Sequence, residues 1–132
     1  MLPRYTQRMQ SLFNPGDVVA VDFPGVTGVK RRPAVVLSSA VYHASRPDVV
    51  VGLITSQTTT ALGPTDSVLQ DWAQAGLRVA SVFRSFFATL PPSTRPMFVG
   101  HLSDRDWEGV CTCVKVALAP LDDTVPPVAP TP

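Results

Sequence analysis

Arg32-Pro33-Ala34-Val35-Val36-Leu37-Ser38 decides how the rest of the chain is read. Four apolar residues, two of them β-branched, follow a proline and suit a strand buried on both faces. The proline disfavours helix for the residue before it, so Arg32 stands as a permanent charge at the mouth of that strand. Upstream, Val18–Phe23 is a second apolar run, and downstream Asp48–Thr55 is a third. The third run ends in Thr55-Ser56-Gln57, a cluster of hydroxyl and amide groups. An arginine and a hydroxyl at neighbouring strand ends can converge on one phosphate, and that combination points to nucleic acid.

Further out, Pro24–Arg31 reads as a loop carrying the bases Lys30 and Arg31 next to Arg32, a local concentration of charge suited to an anion. Ala40–Ser45 predicts one helical turn. Ser56–Asp66, rich in Thr, Gly and Pro, predicts an exposed loop, and Asp71–Gly76 a compact turn ended by its glycine. Ser81–Thr89 and Met97–Leu102 are the remaining strands. Ser103 is placed to cap a final helix with Asp104 and Asp106 in its first turn. Trp107, Val110, Cys111, Val114 and Leu118 recur at helical spacing and mark its packed face. Short strands closed by one helix suggest a mainly β fold, a small, partly open barrel of SH3-like type with a C-terminal helix. Residues 1–14 form a polar extension with a possible short helix, 15–118 the domain, and 119–132 a proline-rich tail unable to build a core.

With 132 residues, 45% hydrophobic and 16% charged, the chain supports one folded domain and not two. The net charge of +1 is uninformative, but residues 1–118 hold all 11 bases and only 8 of the 10 acids. Nine of the bases are arginine, which grips phosphate in a planar, two-pronged way. Codon bias explains an Arg- and Pro-rich composition equally well. Cys111 and Cys113 have no second cysteine pair, and His43 and His101 lack ligand spacing, so no metal site or cofactor is expected. Both thiols read as reduced. No segment reaches membrane-spanning length and no signal-peptide core opens the chain, so a cytoplasmic protein is expected.

Gly16-Asp17-Val18-Val19, Arg32–Ser38, Leu53-Ile54-Thr55-Ser56-Gln57, Ser81-Val82-Phe83-Arg84 and Gly100-His101-Leu102-Ser103 together resemble the MazF/PemK family of toxin–antitoxin endoribonucleases. The motifs occur in the family's order over roughly residues 15–118. The resemblance implies a homodimer of SH3-like barrels that cuts single-stranded RNA without a metal, and an antitoxin protein that occupies the RNA channel. It also implies catalytic roles for Arg32, Thr55 and Arg84, with Lys30, Arg31, Ser56 and Gln57 contacting RNA. Plainer roles stay open: a solvated strand-entry charge for Arg32, a β-branched strand residue for Thr55, and a partner of Asp22 or Asp71 for Arg84.

One branch of that family carries an aspartate, proposed as a base, two residues beyond the Val-x-Arg arginine. Phe86 stands there in this chain, and that branch's loop histidine is also missing near Val26. Loss of a general base typically removes about 10²–10⁴-fold in rate. A catalytically silent RNA- or protein-binding member is therefore the first alternative. A gyrase-inhibiting toxin on the same barrel ranks lower, because that relative works through its C-terminal helix end, where this chain has its proline-rich tail.

Overall fold

The strand that contains Pro33 lies in the middle of a six-stranded antiparallel sheet. A computed structural model describes residues 13–25, 28–58 and 62–119. The elements run β1 (Asp17–Gly25), β2 (Gly28–Val36), α1 (Ala40–Ser45), β3 (Val49–Thr55), β4 (Asp66–Leu69), β5 (Ser81–Leu90), a single 3₁₀ turn (Pro92–Thr94), β6 (Met97–His101) and α2 (Asp104–Ala117). The spatial order is β4-β5-β3-β2-β1-β6, so the sheet is open, with β4 and β6 as its edges. The possible N-terminal helix and the tail beyond Ala119 lie outside the described residues.

Alternation along the strands feeds two cores. Val18, Val35, Ile54, Leu69, Phe83 and Leu102 gather on one face with Val110 and Cys113 of α2. Val19, Val21, Phe23, Ala34, Val36 and Val51 gather on the other. β2 and β3 are thus covered on both sides, which is why they read as nearly continuous apolar runs.

Three sequence expectations need correction. Lys30 and Arg31 are strand residues, not loop residues: β2 pairs with β1 from Val18↔Val35 out to Gly25↔Gly28. Polar side chains are tolerated there because they are long and reach water, and Asp22 sits opposite Arg31 in the register. β4 follows the expected 56–66 loop and was hidden because it is four residues long with Ser67 and Val68 outside the core. On α2 the buried stripe is Asp106, Val110 and Cys113. Trp107 and Val114 pack beside it, Cys111 is only half-buried, and Leu118 is 53% exposed. Both cysteines are free, and burial raises both thiol pKa values, which disfavours the reactive thiolate.

Pro33 has a second consequence, visible only in the register. The β2–β3 ladder consists of Ala34↔Leu53, Val35↔Gly52 and Val36↔Val51, and stops there. Leu37 donates its N–H to the Val50 carbonyl while the Val36 carbonyl accepts from Gly16 on the other side. Odd-numbered residues of β2 therefore face β3, and Pro33 would be the next donor. It has no N–H to give. Beyond it β2 stays with β1, and β3 stays with β5 as far as Thr55↔Val82. The sheet splits along that seam.

Candidate nucleic-acid interface

A cleft of about 750 Å³ occupies the split. One wall is Lys30, Arg31, Arg32 and Pro33 from β2, and the other is Ile54, Thr55, Ser56 and Gln57 at the end of β3. Gly76, Leu77, Arg78 and Val79 close it, with Val99 of β6 beneath. Among the described residues four cations line the cleft and no carboxylate does. Such a one-signed cleft between low-dielectric walls concentrates a polyanion.

The two central groups differ in environment. Arg32 is half-buried and makes no salt bridge among the described residues. Thr55 is 8% exposed, and its Oγ1 accepts the Gln57 N–H at 3.1 Å. That bond fixes the side chain and leaves its O–H free to donate into the cleft. Ser56 and Gln57 are exposed at the rim. Arg31 is partly committed: Nη1 lies 3.3 Å from Asp22 Oδ1, and Nη2 donates to the Arg95 carbonyl at 3.4 Å. Both contacts are long and solvent-exposed, so they hold the guanidinium only weakly.

The turn that closes the cleft is anchored from α2. Asp106, only 3% exposed, accepts the N–H groups of Gln70 at 2.9 Å and Asp71 at 2.8 Å. Asp71 in turn accepts both Nε and Nη2 of Arg105 at 2.7 Å, and the Ser103 hydroxyl at 2.6 Å. This fork pulls the Asp71 carboxyl pKa down to about 2, with the Arg105 hydrogen bonds as the main cause. Gly76, at φ +89°, rests against the Val99 carbonyl, and Gly100 lies so close to the Ala75 carbonyl that a Cβ at either position would collide with backbone.

The structure thus brings Arg32, Thr55, Lys30, Arg31, Ser56 and Gln57 to one cleft. It does not bring Arg84 there. Arg84 sits on β5 with Nη1 3.2 Å from Asp66 Oδ2 of β4, a partner hidden from the sequence because β4 itself was. Asp22 and Asp71, the partners considered for it, pair with Arg31 and Arg105 instead. Phe86 is exposed and leans on Phe23, with ring centroids 5.6 Å apart, outside the cleft lining. His101 is bonded through Nδ1 to Asp17 at 2.7 Å, also outside it. Arg78 was not anticipated: nothing in Leu77-Arg78-Val79 forms a motif, and only the fold of the turn aims it at the cleft.

The family model for the PemK-like, MazF-like toxins of type II toxin–antitoxin systems matches residues 14–118. The chain belongs to that family. Its fold is similar to that of MazF from Deinococcus radiodurans, with a TM-score of 0.63 and 22% identity over 80% of this chain and 94% of that one. A Mycobacterial endoribonuclease, solved with its cognate antitoxin, aligns with a TM-score of 0.63 and 20% identity over 83% of this chain and 99% of its own. A MazE–MazF complex from D. radiodurans gives 0.62 and 21% over 81% and 95%. At such identities the likeness attests the fold. No curated protein matches the sequence. Among the described residues no cluster of three or more His, Cys, Asp or Glu side chains gathers, and no helix is long and apolar enough to cross a membrane.

Proposed function

We propose that this toxin is an endoribonuclease that cuts single-stranded RNA in the β2–β3 cleft through attack of a 2′-OH on the adjacent phosphate. The observation carrying this reading is the shared cleft of Arg32 and Thr55, with four cations and no carboxylate on its walls. The 2′-oxygen bonds to phosphorus as the bond to the 5′-oxygen breaks, leaving a 2′,3′-cyclic phosphate and a 5′-hydroxyl. Charge grows on the non-bridging oxygens along the way. Arg32, without a carboxylate partner among the described residues, is suited to hold those oxygens, and the Thr55 O–H to donate to one of them or orient the 2′-OH. Lys30, Arg31, Ser56 and Gln57 would hold the flanking chain. Arg84, engaged by Asp66, has no part in this scheme.

Among the described residues none of the cleft side chains is a histidine or carboxylate, so positioning and electrostatic stabilisation carry the rate. The expected profile is a cleavage rate that climbs with pH through neutrality with no limb from an imidazole or carboxylate base. The lack of such a base also favours the second reading, an RNA- or protein-binding member that does not cut. An acidic antitoxin chain covering the cleft, and a second copy of this chain, belong to the same proposal. Edge strand β6 has no outer neighbour among the described residues, and its Met97 and Phe98 are more than half exposed, which is compatible with a further contact.

Incubation of the purified protein with mixed-sequence RNA in EDTA separates the readings. Discrete fragments ending in cyclic phosphate, lost in Arg32→Ala, support the nuclease. Intact RNA that remains bound to the protein supports the binding-only member, and full activity in Thr55→Ala would show that the site is misplaced.

A further inference from the structure

The turn between β4 and β5 supplies the cleft with a cation that neither the Arg32 strand nor the end of β3 provides. Arg78 lines the cleft from the turn that closes it, is exposed, and makes no salt bridge or side-chain hydrogen bond among the described residues. Loop charges usually bind poorly because holding them costs entropy. Here the turn is not loose. Asp106 accepts two of its backbone N–H groups, and Asp71 is forked by Arg105. Internal bonds from Ala75 N to the Asp71 carbonyl and from Leu77 N to the Trp72 carbonyl close it, and Gly76 and Gly100 let it press backbone to backbone on β6. Arg78 lies just past the last of these restraints.

We propose that Arg78 binds a backbone phosphate of single-stranded RNA next to the phosphate held by Arg32, and that Arg105, through Asp71, is the positioning residue that sets it there. The proposal rests on the RNA reading of the cleft. A chain whose scissile phosphate sits at Arg32 and Thr55 continues along the same cleft, whose lining also includes Arg78. A guanidinium free of any partner exchanges water and counterions for phosphate, without first breaking an ion pair as Arg31 must. The contact reads no base, so it strengthens binding alike for all sequences.

The test measures binding of a short single-stranded RNA, with its 2′-OH groups methylated to block cleavage, by fluorescence anisotropy across a salt series. Arg78→Ala should weaken binding about tenfold near physiological salt, and the slope of log K against log salt should shrink by about 0.7, the value for one lost phosphate contact on a single strand. Arg78→Lys should keep the slope. Arg105→Gln, whose side chain lies outside the cleft lining, should weaken binding in the wild-type background and add nothing in the Arg78→Ala background. Wild-type affinity and slope in Arg78→Ala overturn the contact. An Arg105→Gln effect that persists without Arg78 overturns the positioning role. Failure of the unaltered protein to bind RNA at all overturns the RNA reading itself, which the first two results do not.

Discussion

Replacing Asp106 with alanine removes the acceptor of two backbone N–H groups from a site that is nearly closed to water. Bonds from a charged group are each worth about 1.5–3 kcal/mol net, and stranded donors add a desolvation cost. Gln70 is exposed, so water can rescue part of its loss. The expected destabilisation is therefore roughly 2–4 kcal/mol, below the simple sum of two bonds. That is a large share of the roughly 5–15 kcal/mol that holds a domain together, and at about 3–5 °C per kcal/mol it lowers Tm by about 10 °C. Asp106→Asn keeps one acceptor oxygen but turns an NH₂ towards an N–H, so it should fall at a similar level or slightly above. Urea melts give the free energies, and hydrogen exchange localises them: the amides of Gln70 and Asp71 should lose protection before those of β2 and β3. A loss under about 0.5 kcal/mol with both amides still protected would refute the claim that α2 anchors the turn.

Three further outcomes follow from the same geometry. Asp71 has a folded-state pKa of about 2 against an ordinary 3.8, so its stabilisation is complete above about pH 4 and drains away as pH falls towards 2; acid melts of the wild type should lose more stability across this window than those of Asp71→Asn, in which Asp48, held low by the Tyr42 hydroxyl, still contributes. Arg84→Gln leaves the largely buried Asp66 with only the Gly63 N–H as its partner among the described residues, and should cost about 1–3 kcal/mol in denaturant melts while RNA affinity is unchanged. Gly100→Ala drives a Cβ into the Ala75 carbonyl; it should destabilise by about 1–3 kcal/mol and weaken RNA binding, whereas a wild-type melt would mean that the turn yields easily.

The four long strands were legible because their residues are apolar and β-branched, and α2 because a capping serine and helical spacing agree. β4 was not, since a four-residue edge strand with Ser67 and Val68 outside the core carries little periodic signal. Lys30 and Arg31 misled because three consecutive bases resemble a loop, while the hairpin they belong to is stabilised by the register of β1. Arg32 and Thr55 share a cleft as expected, although Arg32 lies inside β2 and not at its mouth. The cause of the cleft was not legible: Pro33 ends the β2–β3 ladder only because its nitrogen faces β3, a matter of register parity. Arg78 and Arg84 show the same boundary from two sides. Arg84 belongs to a family motif and Arg78 to none, yet long-range contacts alone send Arg78 to the cleft and pair Arg84 with Asp66.

Nuclear magnetic resonance mapping of a cleavage-blocked RNA on the protein tests the central claim most directly. If the β2–β3 split is the RNA site, amide shifts should concentrate at residues 30–32, 54–57 and 76–79 and vanish in Arg32→Ala. Shifts gathered instead around Leu37, Tyr42 and the end of α2, with the cleft silent, would contradict it.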